Sequence, residues 1–163
     1  MPPPLFIPCI TCIQVITFYL TVKSPGSLTS SDQVPEDNLF VFRPDQKDEA
    51  WRFILYMFVH AGWVHLLFNL SVQLLVGLPL EMVHGSGRLA IIYLSGVLAG
   101  SLGSSVFDRN AILVGASGGV YALLAAHLAN VLLNYQEMQL GVLRVLAIIS
   151  VGMFVFESFM FRL

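Results

Sequence analysis

The sequence predicts an all-α, polytopic membrane bundle of the rarely charged, helix-packed kind, and three observations carry that prediction. Of the 163 residues, 56% are hydrophobic and only 11% charged, whereas a soluble domain carries about a quarter charged residues. The mean hydropathy is +0.79. Apolar stretches near the length that crosses a bilayer, about 20 residues, occur five times along the chain. The formal net charge of −2 and the few Lys and Arg argue against a nucleic-acid partner.

The first span is expected over Leu5–Val22. It lacks a basic leader and a clear cleavage site, so it reads as a retained span rather than a signal peptide. Cys9 and Cys12 lie in it at C-x-x-C spacing. No second pair exists and the flanks are apolar, so they read as packed or lipid-facing thiols rather than a redox or zinc pair. Lys23 to Ala50 is a polar, irregular loop rich in Pro, Ser and acids. Its apolar island, Leu39-Phe40-Val41-Phe42, and the Trp51-Arg52 pair suit the headgroup layer. An ordinary loop with an aromatic anchor is the plainer alternative.

The second span is expected over Arg52–Met82, long enough to begin as an interfacial helix or loop. The third is expected over Leu89–Phe107, the fourth over Ala111–Leu133 and the fifth over Val142–Phe161. In the second, His65, Asn69 and Gln73 recur every four residues and form one stripe, extended by Gly77. Polar groups in a span face a partner or a cavity. Hydrogen-bonded helix cross-links or a site would both explain them. His60 sits nearer the surface, and His84 is placed in a loop past this span. The spacings do not suit a metal, and none is expected.

Gly96-x-x-x-Gly100 and Gly115 with Gly119 are small-residue patterns that let helix backbones approach closely. Packing does not explain Ser117, which sits among glycines in Gly115-Ala116-Ser117-Gly118-Gly119. Glycines within a helix cost about 1 kcal/mol each against alanine, so a reacting group reaching the hydroxyl is the sharper reading. Tyr121 lies one turn on, either packing or lining a site. His127 is ten residues further along the helix, roughly 15 Å away, too far to serve as the base for Ser117.

Gly115-Ala116-Ser117-Gly118, with His65-x-x-x-Asn69 in an earlier span and Trp51-Arg52 before it, resembles the rhomboid family of intramembrane serine proteases, and most closely the animal rhomboid-related proteins. The resemblance covers nearly the whole chain. It implies a single rhomboid-like transmembrane domain over residues 1–163 with about five spans. It implies Ser117 as nucleophile, and His65 and Asn69 as stabilisers of the oxyanion. It further implies Gly115, Gly118, Tyr121, Trp51 and Arg52 as site-lining or substrate-facing residues. Cofactors are not expected. The partners implied are transmembrane protein substrates and the lipid bilayer, in the secretory pathway or plasma membrane. The resemblance puts the N-terminus in the cytosol, whereas counting Lys and Arg puts the long first loop there.

The family's general base is a histidine in a sixth span, and the histidines here, His60, His65, His84 and His127, do not match it. The expectation is therefore a truncated or spliced form, lacking the sixth span and a cytosolic N-terminal segment, with little hydrolysis. His65 as base is the minor alternative. A protease-dead protein that holds transmembrane clients is the competing function. A transporter is disfavoured: inverted repeats are not evident, and the only acids in the spans, Glu81 and Glu157, lie near span ends.

Overall fold

The computed structural model describes residues 3–21, 38–108, 110–134, 136 and 141–160, with side chains in the last helix through Met153. The elements run α1 (Phe6–Thr21), α2 (Arg52–Leu55), a 3-10 turn (Tyr56–Phe58), α3 (Gly62–His84), α4 (Ser86–Phe107), α5 (Ser117–Leu133) and α6 (Gly141–Met160). By length and composition α3 and α4 can each cross a bilayer. α1, α5 and Gly141–Met153 of α6 are apolar but shorter. The five long helices follow the five expected spans, and the molecule is a helical bundle as read.

Three boundaries differ from expectation. The second span is not one helix from Arg52. The chain makes α2 and the 3-10 turn, then extends at Val59 before α3 begins. The fourth does not begin at Ala111: residues 111–116 are extended or bent, and Phe42 and Leu113 exchange two backbone hydrogen bonds, 3.1 and 3.0 Å. Finally, His84 is the last residue of α3, with its Nδ1 3.0 Å from the Leu80 carbonyl, not a loop residue. The apolar island is divided: Val41 and Phe42 are buried, while Leu39 and Phe40 are exposed. Cys9 and Cys12 are free and exposed on α1. Val22 at the end of the first expected span and residues 23–37 of the Lys23–Ala50 loop lie outside the described residues, as do Arg109 and the side chain of Glu157.

α5 is central, packing against α3, α4 and α6, while α1 packs on α3 and α4. The α4–α5 contact is as close as the small residues predict. A Cβ on Gly118 would stand 2.9 Å from the Gly96 carbonyl oxygen and 3.2 Å from the Val97 Cα. Both are backbone atoms and cannot swing aside.

Several polar groups in the bundle are paired with one another, as an interior without water favours. The Gln73 amide donates to Thr11 Oγ1 (2.7 Å) and Gln14 Oε1 (3.0 Å). Tyr93 donates to Gln73 Oε1 (2.8 Å), and Gln14 Nε2 donates to Tyr93 Oη (3.1 Å). The third member of the polar stripe thus joins α3 to α1 and α4. Glu81, expected only as an acid near a span end, is fully buried. Its carboxylate accepts the backbone N–H groups of Leu5 (2.8 Å), Phe6 (2.6 Å) and Ile7 (2.9 Å), and the Ser86 hydroxyl. Those N–H groups belong to the first turn of α1, where a helix leaves donors unsatisfied and its dipole favours a negative charge.

Glu81→Ala removes the shared acceptor of three N–H groups, the one on Ile7 being buried. It should destabilise the purified protein in mild detergent by about 3 kcal/mol, read by reversible unfolding, with Glu81→Gln milder; an unchanged midpoint would contradict the cap. Gly118→Ala presses a methyl onto the α4 backbone and should cost about 1–3 kcal/mol in the same measurement.

Candidate functional site

Ser117 is the first residue of α5, with Ala116 at the cap position. This position follows from Gly115, whose φ of +101° turns the chain sharply into the helix, a conformation that costs little only for glycine. The Gly115 N–H donates to the Tyr56 carbonyl at 3.0 Å, which fixes the turn against the 3-10 segment. Ser117 is therefore not in the middle of a helix. Its backbone N–H is one of the unpaired donors of a helix N-terminus, where the dipole favours a developing negative charge.

Ser117 is 9% exposed. It lines a cavity of about 370 Å³ with Gly118 and Tyr121 of α5, Gly100 of α4, Tyr56, and Leu113 of the preceding extended segment. Tyr56 reaches across with its hydroxyl, donating to the Val97 carbonyl at 2.7 Å. The Tyr121 hydroxyl is buried without a hydrogen-bond partner among the described residues.

His65 approaches from α3. A Cβ on Gly115 would lie 2.5 Å from His65 Cε1 and 2.7 Å from Nε2, so the absence of a side chain at Gly115 gives the imidazole its place. The Cε1–Nε2 edge faces the turn that carries Ser117. The Ala61 N–H points at His65 Nδ1 at 3.4 Å. An Nδ1 that accepts this N–H would leave the proton of a neutral ring on Nε2, toward the turn. Asn69, one turn on, is 2% exposed. Its Nδ2 donates to the His65 carbonyl at 2.8 Å, and its Oδ1 has no partner among the described residues.

Of the residues expected at the site, Ser117, Gly118 and Tyr121 line this cavity, whereas Gly115, His65, Asn69, Trp51 and Arg52 lie outside its lining. Trp51 is half-exposed and donates through Nε1 to the Leu39 carbonyl at 3.3 Å. Arg52 is buried, donating to Glu49 Oε2 (2.6 Å) and to the Asn38 (2.9 Å) and Val41 (2.8 Å) carbonyls. The pair gathers the loop before α2. His127 sits ten residues down α5, and His84 is at the far end of α3 from His65. Among the described residues, no group of three or more His, Cys, Asp or Glu could hold a metal ion.

Sequence reasoning missed Tyr56, whose carbonyl and hydroxyl both serve the site. It lies in a segment taken for the start of a span, and nothing in its neighbours marks it. Gly100 was read for packing alone, yet it also lines the cavity.

A rhomboid domain model matches residues 47–161. Among curated relatives, the chain is 47% identical over 156 residues to rhomboid-related protein 2 of Mus musculus, covering 93% of this chain and 51% of that protein. It is 45% identical over 169 residues to rhomboid-related protein 1 of Caenorhabditis elegans, covering 97% and 46%. It is 31% identical over 165 residues to a Caenorhabditis elegans protein named inactive rhomboid-related protein 2, covering 98% and 47%. The chain thus spans about half the length of these relatives.

Gly115→Ala puts a methyl where the His65 ring lies and forces alanine to a positive φ. It should lower stability by about 2 kcal/mol, read by unfolding in detergent. A neutral result would mean that the ring does not depend on this gap.

Proposed function

Because the chain belongs to the rhomboid family, and so is an integral, multi-pass membrane protein, we propose that it carries the nucleophile and oxyanion parts of an intramembrane serine endopeptidase acting on single-span membrane proteins. Ser117 is the nucleophile. The Ser117 N–H, His65 Nε2–H and Asn69 amide are the donors that meet the oxyanion as the peptide carbonyl is attacked. Such donors typically contribute about 3–4 kcal/mol each to the transition state. The compartment, on the family resemblance, is the secretory pathway or plasma membrane.

The observation that carries this reading is the seating of the His65 ring on Gly115, two residues before Ser117, with Nδ1 tied to the Ala61 N–H. An Nδ1 that accepts this N–H leaves Nε2 protonated, which suits a donor rather than a base. A serine hydroxyl is a poor nucleophile until a neighbouring group takes its proton. These 163 residues by themselves should therefore hydrolyse little.

A second reading is a non-catalytic rhomboid-like protein that holds transmembrane clients. The inactive-named relative aligned across nearly the whole chain favours it. Clients would then co-purify equally with wild-type and Ser117→Ala protein.

Added imidazole can supply a base from solution. It should raise fluorophosphonate labelling of wild-type protein at Ser117 and leave Ser117→Ala unlabelled; absence of labelling at Ser117 under both conditions overturns the nucleophile assignment. Cleavage of a single-span reporter by these 163 residues in membranes should stay at background. Robust cleavage abolished by Ser117→Ala would refute the expectation of inactivity.

A further inference from the structure

Cys9 and Cys12 are used by nothing above, and they are the only cysteines in the 163 residues. Both thiols are free and exposed on α1. Free cysteine is otherwise among the most buried residue types, where it behaves as a small hydrophobe. Two thiols turned outward near one helix end need a reason other than packing.

α1 has two distinct faces. Ile7, Ile10, Gln14 and Phe18 are buried against the bundle. Cys9 and Cys12 stand on the opposite side, in one stripe with the exposed side chains of Ile13, Ile16 and Leu20. In a multi-pass membrane protein that stripe meets lipid chains. The thiols occupy its outer end, about 4.5 and 9 Å along the axis from Phe6, the first residue of α1. Side chains of a helix lean toward its N-terminus, so both thiols lean toward the membrane surface and away from the midplane. The Glu81 carboxylate joins the first N–H groups of α1 to the Ser86 hydroxyl at this same end. Arg88, two residues after Ser86, is exposed there.

We infer that Cys9 and Cys12 are S-acylation sites, each taking a long fatty acyl chain from an acyl-coenzyme A thioester. The cysteine sulfur, as thiolate, attacks the acyl carbonyl carbon. A carbon–sulfur bond forms to the cysteine, and the carbon–sulfur bond to coenzyme A breaks. Coenzyme A leaves as a thiol, taking up the proton that the cysteine gave up, so neither an oxidant nor a reductant is required. Cysteines close to a membrane boundary are where such thioesters form. The acyl chains fold back into the bilayer along Ile13, Ile16 and Leu20, which offer an apolar track already in contact with lipid. The Arg88 cation favours approach of the phosphate-bearing donor to this end of the bundle. The inference requires the start of α1 to face the cytosol, where acyl-coenzyme A is available. It is independent of the roles given to Ser117 and His65.

The test is thioester exchange on the whole 163-residue chain expressed in eukaryotic cells. Free thiols are blocked, the sample is divided among buffer, neutral hydroxylamine and a phosphine reductant, and newly released thiols are tagged with a maleimide polymer. Wild-type protein should gain two mass steps with hydroxylamine and none in buffer. Cys9→Ser and Cys12→Ser should each lose one step, and the double variant both. An alkynyl fatty acid fed to the cells should label wild-type protein and leave the double variant unlabelled. Both substitutions lie on the exposed face, so the packed face of α1 is unchanged. Absence of a hydroxylamine-dependent step in wild-type protein overturns the inference. A single step, removed by one substitution alone, overturns the assignment of the other cysteine. Steps released by the reductant and not by hydroxylamine mean a disulfide, and overturn acylation at both.

Discussion

The backbone carbonyl of Tyr56 accepts two N–H groups, from Val59 at 3.2 Å and Gly115 at 3.0 Å. One donor belongs to the segment leading into α3 and the other to the turn leading into α5. The turn into α5 carries Ser117, and α3 lays its His65 ring against Gly115 of that same turn. The Tyr56 hydroxyl then reaches the Val97 carbonyl of α4 at 2.7 Å. A single residue thus joins three helices at the end of the bundle where Ser117 lies. A side-chain site needs such fixed backbone more than it needs many contacts, because a small displacement of a reacting group costs far more in rate than in stability.

The rest of the bundle keeps that frame rigid. Little hydrophobic force pulls helices together inside a bilayer, so close packing and hydrogen bonds must do so. Gly96 and Gly118 bring α4 against α5 almost backbone to backbone. The Gln14–Gln73–Tyr93 cluster binds α1, α3 and α4, with each amide and hydroxyl engaged. Each such bond is individually modest, about 1 kcal/mol net. Their geometry nevertheless admits one rotation of each helix, because turning any one of them leaves a buried polar atom without a partner.

The class of fold was legible in the sequence because hydropathy reports membrane helices directly, and five apolar stretches gave five long helices. The nearness of Ser117's turn to His65 was legible only through a motif pattern; periodicity alone left the stripe of His65, Asn69 and Gln73 undecided. The structure divides that stripe, with His65 facing Gly115 and Gln73 facing α1. Other features were hidden for physical reasons. The start of α5 at Ser117 depends on a positive φ at Gly115, and a glycine's letter does not distinguish a turn from a packing contact. Glu81 looked like an acid near a span end, because its partners are N–H groups that every residue but proline carries. Tyr56 acts through its carbonyl, which the identity of the residue does not advertise.

The Glu81 cap also constrains the order in which the chain can assemble. Leu5 and Glu81 are separated by 76 positions, so α1 leaves the ribosome and meets lipid well before its counter-charge has been synthesised. During that interval its leading N–H groups must rely on water or headgroups at the bilayer surface, and α1 cannot settle at its final depth. Docking of α1 therefore waits for the α3–α4 hairpin, whose Glu81 and Ser86 complete the receptor for it. Although α1 precedes α3 in the chain, it is thereby locked after it, and a chain stalled before that hairpin would present an unfinished helix end to the quality-control machinery of its membrane.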